Sequence, residues 1–514
     1  MKRYFLGIDI GTFESRGILT DESFRVAADA SLPHGMNNPQ PGWFEQEAEA
    51  VWWGDLCKLC RTLIKQSGIR PEQIACVGTS ALGTDCLPVD EQCRPLRPAI
   101  LYGIDARASE EAAWLTEHYG QARVQELFGH PICSGDTATK ILWLRRHEPE
   151  IYAKTAYFLT GSSFLTARLT GKYVIDQSLA KGSFRPLYQA DGGVNEAECG
   201  LYCRPDQIAA CAWSTDIVGT VTPEAAAQTG LAAGTPVITG TGDSTAEAIS
   251  VGLVEPGTAF FQYGSSMFYY YCTDHFVGSY VSPQGNGALK GGKAFTVPGT
   301  YCLGDGTNAA GTLTRWVRDL LYSKELDAEK QGGENAYAVM AREAAAVPPG
   351  SDGLIMLPYI YGERSPLQDA EATGMLFGLK GTHGRAQINR AALEAVGYST
   401  YQHLLLFEEL GVPPRRIITA GGGTKNAAWM QIICDMAGMP LTIPEPFQCS
   451  SYGDAMLAAL GVGALESFAA LRAALPQGRI LQPDRKNHEF YQEHYPIFRD
   501  IYLENRDRMH KMQK

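Results

Sequence analysis

Short apolar runs alternate along the first part of the chain with stretches in which apolar residues recur at helical spacing. Residues 4–8 and 74–77 are apolar runs of strand length. Residues 45–66 and 108–119 have apolar positions at helical spacing, and a glycine that can end a helix follows each stretch. Strands that alternate with helices in this way predict an α/β protein.

The pattern changes near the middle of the chain. Polar residues 189–200 predict a loop, and residues 236–239 predict a strand that leads through a Gly-Thr-Gly turn into a short helix starting at Asp243. Residues 256–273 carry no charge, but they are too polar for a membrane span and are typical of a hairpin around a Gly-Ser-Ser turn. We therefore place a domain boundary near residues 250–258.

A second strand with a glycine-rich turn follows in the last quarter. Residues 417–419 predict a strand, and residues 420–424 predict a turn that leads into a helix over residues 427–436. A strand followed by a glycine-rich polar turn thus occurs near the start of each half, which hints at two related domains.

Composition narrows the class of protein. The chain has 514 residues, of which 45% are apolar and 19% charged, so it can bury full cores and does not have the composition of a disordered chain. The net charge of -12 and the lack of a basic stripe argue against a nucleic-acid binder. The first residues do not make a signal peptide, and thirteen scattered cysteines are typical of a reduced, cytoplasmic protein.

A Cys-x-x-Cys pair at Cys57 and Cys60 raises the alternative of a zinc site. It lies on a predicted helix and no second pair accompanies it. A structural zinc site needs four ligands, so we favour buried, reduced thiols.

The first glycine-rich turn contains Asp9, Gly11 and Thr12, followed by Ser15 and Arg16. A carboxylate at a strand end can hold Mg²⁺ through water, and the turn offers amides, hydroxyls and a positive charge to phosphate oxygens. An ordinary β-turn, in which Asp and Gly are common, is the alternative.

The second turn, residues 240–244, presents Asp243 at the end of a strand. Its carboxylate can accept a proton from a substrate hydroxyl, but Asp also fills helix N-caps well. The third turn, residues 421–426, offers backbone donors to a nucleotide phosphate or space for a flat adenine, or is only a tight connection. The sequence contains neither a P-loop nor a Gly-x-Gly-x-x-Gly motif.

The order of these turns, together with Gly264-Ser265 in the predicted hairpin, resembles the FGGY carbohydrate kinase family, which includes kinases of xylulose, ribulose, gluconate and glycerol. Residues 135–147, with a Lys-x-x-Trp core, are similar to the family's first signature, and residues 374–394 to its second. The block of residues 362–366 is also similar to the family. The resemblance covers roughly residues 4–465.

The resemblance implies a fold of two ribonuclease-H-like domains, as in actin and hexokinase, with a central cleft. It implies an N-terminal sugar-binding and catalytic domain, a C-terminal nucleotide-binding domain and a helical tail, which we place at residues 1–252, 253–490 and 491–514. The implied function is ATP-dependent phosphorylation of a hydroxyl on a small sugar or polyol. ATP and Mg²⁺ are the implied cofactors, and a homodimer in the cytoplasm is compatible with the family.

Site residues follow from the same resemblance. Asp243 would be the catalytic base, and Asp9 would assist the metal and the phosphates. Both would hold Mg²⁺ mostly through water. Thr84, Asp85, Asp105 and Asp243 would bind the substrate. The expected phosphate and ATP-binding residues are Gly11, Thr12, Ser15, Arg16, Gly264, Ser265, Gly311, Gly421, Gly422, Gly423 and Asn426.

Two blocks depart from the family pattern. Xylulose kinases carry Gln-Met-His-Gly where this chain has Leu-Gly-Thr84-Asp85, and Asp85 either accepts substrate hydroxyls or is a solvated turn carboxylate. In the first turn, Phe13 and Glu14 replace small or hydroxyl residues, and Glu14 would repel phosphate unless it faces away or acts through Mg²⁺. Two further functions stay open: a catalytically weak, nucleotide-dependent binding or regulatory protein of the actin-like fold, and an enzyme that only hydrolyses ATP or another phosphate ester.

Overall fold

The computed structural model describes residues 3–445 and 449–513 and contains two compact units. The first unit consists of residues 3–254, 293–301 and 449–475, and the second of residues 255–292, 302–445 and 476–513. Each unit has an α/β architecture with a mixed sheet and its own hydrophobic core. Every helix in the described part of the chain is too short or too polar to span a membrane.

The sheet of the first unit is built on the strand Tyr4–Ile10, which pairs in parallel with Ile74–Ala81 and antiparallel with Glu14–Asp21. Its side chains Phe5, Leu6 and Ile8 are buried, as the apolar run predicts. The full strand order is Ile217–Thr220, Pro236–Ile238, Ile74–Ala81, Tyr4–Ile10, Glu14–Asp21 and Val26–Pro33, with Thr241–Gly242 pairing beside the end of Ile74–Ala81.

Shorter elements complete the first unit. Its other strands are Glu45–Gln46, Leu87–Val89, Ala99–Ile100, Tyr157–Leu159, Val174–Asp176, Ala210–Ala212 and Lys293–Ala294. Its α-helices are Gly54–Ser67, Ser109–Leu127, Thr137–His147, Pro149–Lys154, Gly161–Thr170, Gln177–Ala180, Glu196–Tyr202, Pro223–Thr229, Asp243–Ser250, Ser450–Gly461 and Phe468–Ala474, with a π-helix at Ala48–Trp53 and 3₁₀ turns at Pro71–Gln73 and Pro205–Gln207.

The sheet of the second unit contains, in order, Tyr301–Gly306, Met267–Thr273, Thr258–Tyr263, Arg416–Ala420, Leu441–Ile443 and Arg479–Leu481. Its short strands are Tyr280–Val281, Ala288–Leu289, Ile355–Leu357 and Met375–Phe377. Its helices are Gly311–Leu321, Ser323–Lys330, Ala336–Ala345, Arg385–Glu409, Ala427–Ala437 and Arg485–Met512, with 3₁₀ turns at Ser351–Gly353 and Gly422–Lys425. The predicted hairpin corresponds to the strands Thr258–Tyr263 and Met267–Thr273, which pair antiparallel.

Three local predictions differ from the structure. Residues 45 and 46 form a short strand, so the first helical stretch starts later than its apolar pattern indicates. The predicted helix over residues 108–119 does end at Gly120, whose φ of 69° and ψ of 157° are not helical, but a second helical stretch that was not predicted follows directly and runs to Leu127. A helix, Glu196–Tyr202, occupies part of the predicted loop, and its buried Cys199 and Tyr202 give it a packed face.

The division into units also differs from the predicted segments. The chain first passes from the first unit to the second between residues 254 and 255. Residues 293–301 and 449–475 then return to the first unit. The helix Arg485–Met512 runs through the predicted start of the tail at residue 491, and it packs Tyr491 and Phe498 into the core of the second unit. It is therefore part of that unit's core and not a separate tail.

Candidate active site

The carboxyl ends of three parallel strands meet at one edge of the first unit's sheet. Asp9 lies opposite Ser80 in the register of their strands, and Gly242 lies opposite Ala81. Asp243 follows Gly242 directly and begins the helix Asp243–Ser250. Because parallel strands end at the same edge of a sheet, two acidic residues 234 positions apart in sequence reach one place.

A serine hydroxyl joins Asp9 to a third acid. Ser80 Oγ lies 2.9 Å from Asp9 Oδ1 and 2.7 Å from Asp454 Oδ2. A hydroxyl has one proton, so it can serve both carboxyls only when one of them carries a proton of its own. We call Asp9, Asp243, Asp454 and Ser80 the carboxylate cluster.

Burial and mutual repulsion hold the acids of this cluster toward their protonated forms. Burial, and next the charge of Asp243, raises the pKa of Asp9 well above its ordinary value. Burial also raises the pKa of Asp243, against the opposing effects of hydrogen bonds from Ser244 and the charge of Lys293. The pKa of Asp454 is raised well above its ordinary value by burial and then by Asp9.

Asp243 does not act as the N-cap of its helix. Gly242 occupies the cap position, and Asp243 Oδ1 accepts a 2.6 Å hydrogen bond from the Ser244 amide. Asp9 and Asp243 are both partly accessible to solvent, whereas Asp454 is fully buried. The two accessible carboxyls are therefore the ones that a bound molecule can reach.

Several polar groups of the first glycine-rich turn already have hydrogen-bond partners within the protein. The Gly11 amide donates to the Glu14 carbonyl at 3.0 Å, and the Thr12 hydroxyl donates to Tyr102 at 3.2 Å. Ser15 is buried and donates to Asp55 at 3.1 Å, while Arg16 forms a two-bond pair with Asp29 at 3.0 and 2.7 Å. Ser15 and Arg16 thus already have protein partners, and their expected phosphate contacts stay predictions.

Phe13 and Glu14, the unusual residues of this turn, are both exposed. Glu14 starts the strand Glu14–Asp21, and its side chain is in contact with solvent, where water screens its charge. Its location therefore weakens the argument that Glu14 repels a phosphate.

Asp105 is held by other protein groups. Its oxygens accept hydrogen bonds from the Phe44 amide at 2.6 Å and from the amide and guanidinium of Arg107 at 2.8–3.1 Å, and it is 1% exposed. Arg107 also pairs with Glu45 at 2.8 Å and lies over the ring of Trp43. A carboxylate with so many donors positions the surrounding loop, so it offers little to a substrate.

The burial of Asp85 rules out one of the two predictions made for it, the solvated turn carboxylate. Asp85 is 0% exposed, so it is not a solvated turn carboxylate. The neighbouring Lys140 is also fully buried and donates to the carbonyls of Thr84 at 2.6 Å and Gly135 at 2.9 Å. Burial raises the pKa of Asp85 well above its ordinary value, against the lowering effect of Lys140.

The remaining predicted residues lie in the second unit around a pocket of about 460 Å³, which we call the glycine pocket. Gly264, Ser265, Gly311, Gly422, Gly423 and Asn426 line it, together with Tyr337, Leu393 and Trp429. Gly421 lies next to the lining residues and has φ 90°, a conformation that suits glycine. The structure therefore brings Gly264-Ser265 of the hairpin, Gly311 and the third glycine-rich turn together within one unit.

Two contacts explain the shape of this pocket. The Gly311 amide donates to the Gly264 carbonyl at 2.9 Å, and a Cβ at residue 311 would lie 2.5 Å from that oxygen. Asn426 caps the helix Ala427–Ala437 by accepting from the Trp429 amide at 3.1 Å. The glycines thus keep backbone close to backbone, and the cap fixes the helix at the pocket wall.

Sequence reasoning missed Asp454, Ser80 and Lys140 as members of these sites. Asp454 had one available signal: it is the one charged residue in the stretch Ser450–Gly461, whose other residues are serine, tyrosine, glycine or apolar. Buried acids are rare unless they are paired or functional. Lys140 belongs to the Lys-x-x-Trp core of the first signature block, but the pattern alone indicates no role for it.

Comparisons with known proteins identify the family of this chain. Residues 4–250 match the N-terminal domain of the FGGY family of carbohydrate kinases, and residues 263–462 match the C-terminal domain. The chain is 29% identical over 501 residues to the xylulose kinase of Escherichia coli K12, which covers 97% of this chain and 98% of that protein. It is 28% identical over 503 residues to the gluconokinase of Bacillus subtilis, covering 97% and 95%.

A solved structure shows the same architecture. The xylulose kinase from Rhodospirillum rubrum superposes with a TM-score of 0.88 at 28% identity, covering 99% of this chain and 100% of that one. The fold and these matches together define a sugar phosphotransferase.

This chain belongs to the FGGY family of carbohydrate kinases. Members of the family transfer a phosphate group from ATP to a hydroxyl group of a sugar, and the chain is a carbohydrate kinase of this kind.

Proposed function

We propose that this kinase transfers the γ-phosphate of ATP to a hydroxyl group of a small sugar or polyol, with Asp243 as the proton acceptor. The observation that carries this proposal is the position of Asp243 beside Asp9 at the carboxyl ends of parallel strands. A base is most effective when its pKa approaches the working pH, and burial moves the pKa of Asp243 in that direction.

The first unit would hold the acceptor and its proton. Asp243 would accept the hydroxyl proton as the hydroxyl oxygen attacks the γ-phosphorus. The bond between that phosphorus and the bridging oxygen would break, and ADP would be the leaving group. Thr84, Asp85 and Asp105 are the further substrate residues that the family resemblance implies. We assign Asp105 a positioning role, because Arg107 and the Phe44 amide already engage its carboxylate.

The carboxylate cluster fits a divalent cation that keeps its water. No group of three His, Cys, Asp or Glu side chains in residues 3–445 and 449–513 is arranged to hold a metal directly. Mg²⁺ commonly keeps several waters and uses one or two carboxylates, which matches Asp9 and Asp243. The bound ion would offset the negative charge of the phosphates.

The glycine pocket suits the nucleotide. A Cβ at Gly423 or Gly311 would collide with Tyr263, Trp429 or the Gly264 carbonyl, so only glycine lets the wall segments of this pocket pack this closely. Tyr337 and Leu393 supply apolar surface for a flat base, and Ser265 would contact the γ-phosphate, as the resemblance implies. Gly11 and Thr12 of the first unit keep their expected role at the phosphates.

Coupled ADP release over a panel of acceptors tests the proposed function. We expect release that depends on an added pentulose, tetritol, glycerol or hexonate. Release without any acceptor would favour an ATP hydrolase, and nucleotide binding without turnover would favour a regulatory protein.

Asp243→Asn tests the proton acceptor. Loss of a general base should lower kcat at least about a hundredfold, while the Kd for ATP and the melting temperature stay near wild type. Asn preserves the shape and the Ser244 hydrogen bond, so near-normal turnover would refute the assignment.

A cytoplasmic location and a homodimer stay predictions of the resemblance.

A further inference from the structure

The second unit contains another cavity, of about 390 Å³, which shares no lining residue with the glycine pocket in the described part of the chain. We call it the aromatic pocket. The helix Arg385–Glu409 contributes to both cavities. Asn389 and Leu393 line the glycine pocket, whereas Ala391 and Tyr398 line the aromatic pocket. At about 3.6 residues per turn, these pairs project from opposite sides of the helix, so the two cavities are separate sites.

The walls of the aromatic pocket are mostly apolar. They include Leu354, Met356, Phe377, Ala395, Phe490 and Ile497. Phe377 and Ile497 are 50% and 45% exposed, so they lie at the opening, while Leu354 and Met356 are buried. A cavity of this size with apolar walls is typical of small-molecule sites, which occupy about 300–1,000 Å³.

Tyr398 supplies this pocket with a polar group that has no partner. The side chain is 3% exposed, and its ring stacks on Phe498 with 4.9 Å between the ring centroids. No group in the described residues forms a hydrogen bond with its hydroxyl. Burial raises the pKa of Tyr398, so the hydroxyl keeps its proton and can donate a hydrogen bond. A buried hydroxyl without a partner is costly and requires an explanation.

His494 supplies the second polar group. Its ring stacks on Phe490 at 3.9 Å between centroids, and its Nδ1 lies 2.8 Å from the Phe490 carbonyl oxygen. A carbonyl can only accept, so Nδ1 carries the proton and Nε2 of the neutral ring is an acceptor. Nε2 also has no hydrogen-bond partner in the described residues. The pocket thus offers one donor and one acceptor to a ligand.

The carboxylate of Glu394, which also lines the pocket, is already engaged by the protein. Its Oε1 accepts from the Gly350 amide at 3.0 Å, from Arg390 at 2.9 Å and from Tyr491 at 2.8 Å. Its Oε2 accepts from the Ser351 hydroxyl at 2.8 Å. Glu394 therefore fixes the walls, because it ties the turn around Gly350 to the two helices that flank the pocket.

Charge and shape define the class of ligand. The described lining residues include neither Lys nor Arg, so an anion would lose its water without gaining a cation. A cation would meet Glu394, whose charge Arg390 already offsets. A neutral aromatic ring can instead pack against the phenylalanine rings of the wall. A hydroxyl or carboxamide on that ring can accept from Tyr398 and donate to His494.

We propose that the aromatic pocket is a second ligand site of this protein, which binds a neutral aromatic molecule carrying a hydroxyl or carboxamide group. Tyr398 and His494 are its polar contacts. The site lies outside the glycine pocket, so the inference stands apart from the phosphate transfer and goes beyond the proposed function.

Calorimetry with three probes of similar shape tests the ligand class. 2-Naphthamide and 2-naphthol are neutral and carry the required polar group, whereas 2-naphthoate is an anion near neutral pH. For a probe of this size with average binding efficiency, we expect a Kd of about 1 mM or lower for 2-naphthamide. 2-Naphthoate should bind at least about tenfold more weakly. No binding of either neutral probe, or equal binding of 2-naphthoate, overturns the inference.

Tyr398→Phe tests the hydroxyl contact. The change removes one oxygen and keeps the ring in its stack on Phe498, so the affinity for 2-naphthamide should fall about 3- to 10-fold. Tyr401→Phe is the matched control, since Tyr401 is on the same helix but does not line the pocket, and it should bind as wild type does. Unchanged affinity in Tyr398→Phe, or an equal loss in both variants, contradicts the proposed contact.

Two further variants locate the probe. Ala395→Leu extends a side chain into the aromatic pocket and should abolish binding, with the melting temperature reporting whether the fold is kept. Gly422→Leu extends one into the glycine pocket and should leave binding unchanged. Loss of binding in Gly422→Leu but not in Ala395→Leu would place 2-naphthamide in the glycine pocket and overturn the inference. If Ala395→Leu does not fold, Tyr398→Phe decides on its own.

Discussion

The Ser80 hydroxyl lies between two carboxyl groups and has one proton to share between them. It is within hydrogen-bond distance of Asp9 and Asp454, and the other oxygen of Asp454 has no partner in the described structure. The cluster is therefore stable only while its protons and hydrogen bonds are correctly distributed. Such a network fixes the orientation of Asp9, which is one of the two members that solvent can reach.

Ser80→Ala should show how much that bridge contributes. The substitution leaves Asp454 buried with neither oxygen bonded by Ser80, and we expect a loss of about 1–3 kcal/mol of stability. Adding Asp454→Asn should recover part of that loss, because an amide cannot ionise and so never leaves an unpaired charge in the buried cluster. Denaturant unfolding of the two single variants and the double variant measures the coupling, and strictly additive effects would contradict the shared network.

Local signals in the sequence predicted the turns, but not the partners of Ser80. Asp9 and Asp243 each follow an apolar run and a glycine-rich turn, which is information held within a few residues. Asp454 lies 374 residues from Ser80, and nothing in its own helix indicates which strands that helix packs against. The same limit explains why Asp85 could be taken for a solvated turn residue.

At the scale of elements, glycines set how closely a helix approaches the sheet. A Cβ at Gly7 would lie 2.7 Å from the Ala455 amide and collide with the Ser451 carbonyl, and a Cβ at Gly78 would collide with the Asp454 carbonyl. The helix Ser450–Gly461 therefore rests directly on the backbone of two strands. Its position carries Asp454 to Ser80.

Gly7→Ala should consequently act on both stability and the cluster. We expect a loss of at least about 3 kcal/mol, because overpacking against backbone cannot be relieved by a rotamer change, together with reduced turnover. Gly200→Ala, in the helix Glu196–Tyr202 with nothing within 4 Å of its Cβ, should be neutral or slightly stabilising. Thermal unfolding and kcat measure the pair, and equal behaviour of the two variants would show that the close approach does not matter.

The glycine pocket permits a complementary experiment on its turn. Gly422 lines the pocket and a Cβ there meets nothing within 4 Å, so a side chain would enter the space assigned to the nucleotide. Gly422→Leu should weaken ATP binding about 10- to 100-fold, corresponding to roughly 1–3 kcal/mol of steric cost, with little change in melting temperature. Gly381→Leu, at an exposed glycine of the same unit with equal space, is the control and should leave the Kd for ATP unchanged.

At the scale of the whole molecule, each unit is built from segments that are not continuous in the sequence. The predicted boundary near residues 250–258 rests on a change of pattern in the sequence, and the chain first passes from one unit to the other between residues 254 and 255. The pattern did not predict that residues 449–475 return to the first unit, since that depends on long-range packing. The acid Asp454 therefore comes from late in the sequence into a site made mainly by its beginning.

Two buried ionisable groups give the second unit opposing responses to pH. Burial raises the pKa of Glu363 to about 8, and the folded state binds the proton more tightly than the unfolded chain does. Its stability contribution is therefore lost as pH rises from the ordinary carboxyl value toward 8. Burial lowers the pKa of His403 to about 4, so stability is lost there as pH falls from 6.5 toward 4.

Glu363→Gln should therefore reduce the loss of stability above pH 5 and leave the loss of stability at lower pH unchanged. The neutral amide cannot titrate, and a tenfold change in proton affinity corresponds to about 1.4 kcal/mol, so the variant should gain on wild type by a few kcal/mol between pH 5 and pH 8. Melting temperatures across this range measure the difference. Glu504 is an exposed acid on the helix Arg485–Met512, so the melting temperature of Glu504→Gln should change with pH as that of wild type does. The same pH dependence in Glu363→Gln would mean that Glu363 does not hold its proton in the folded protein.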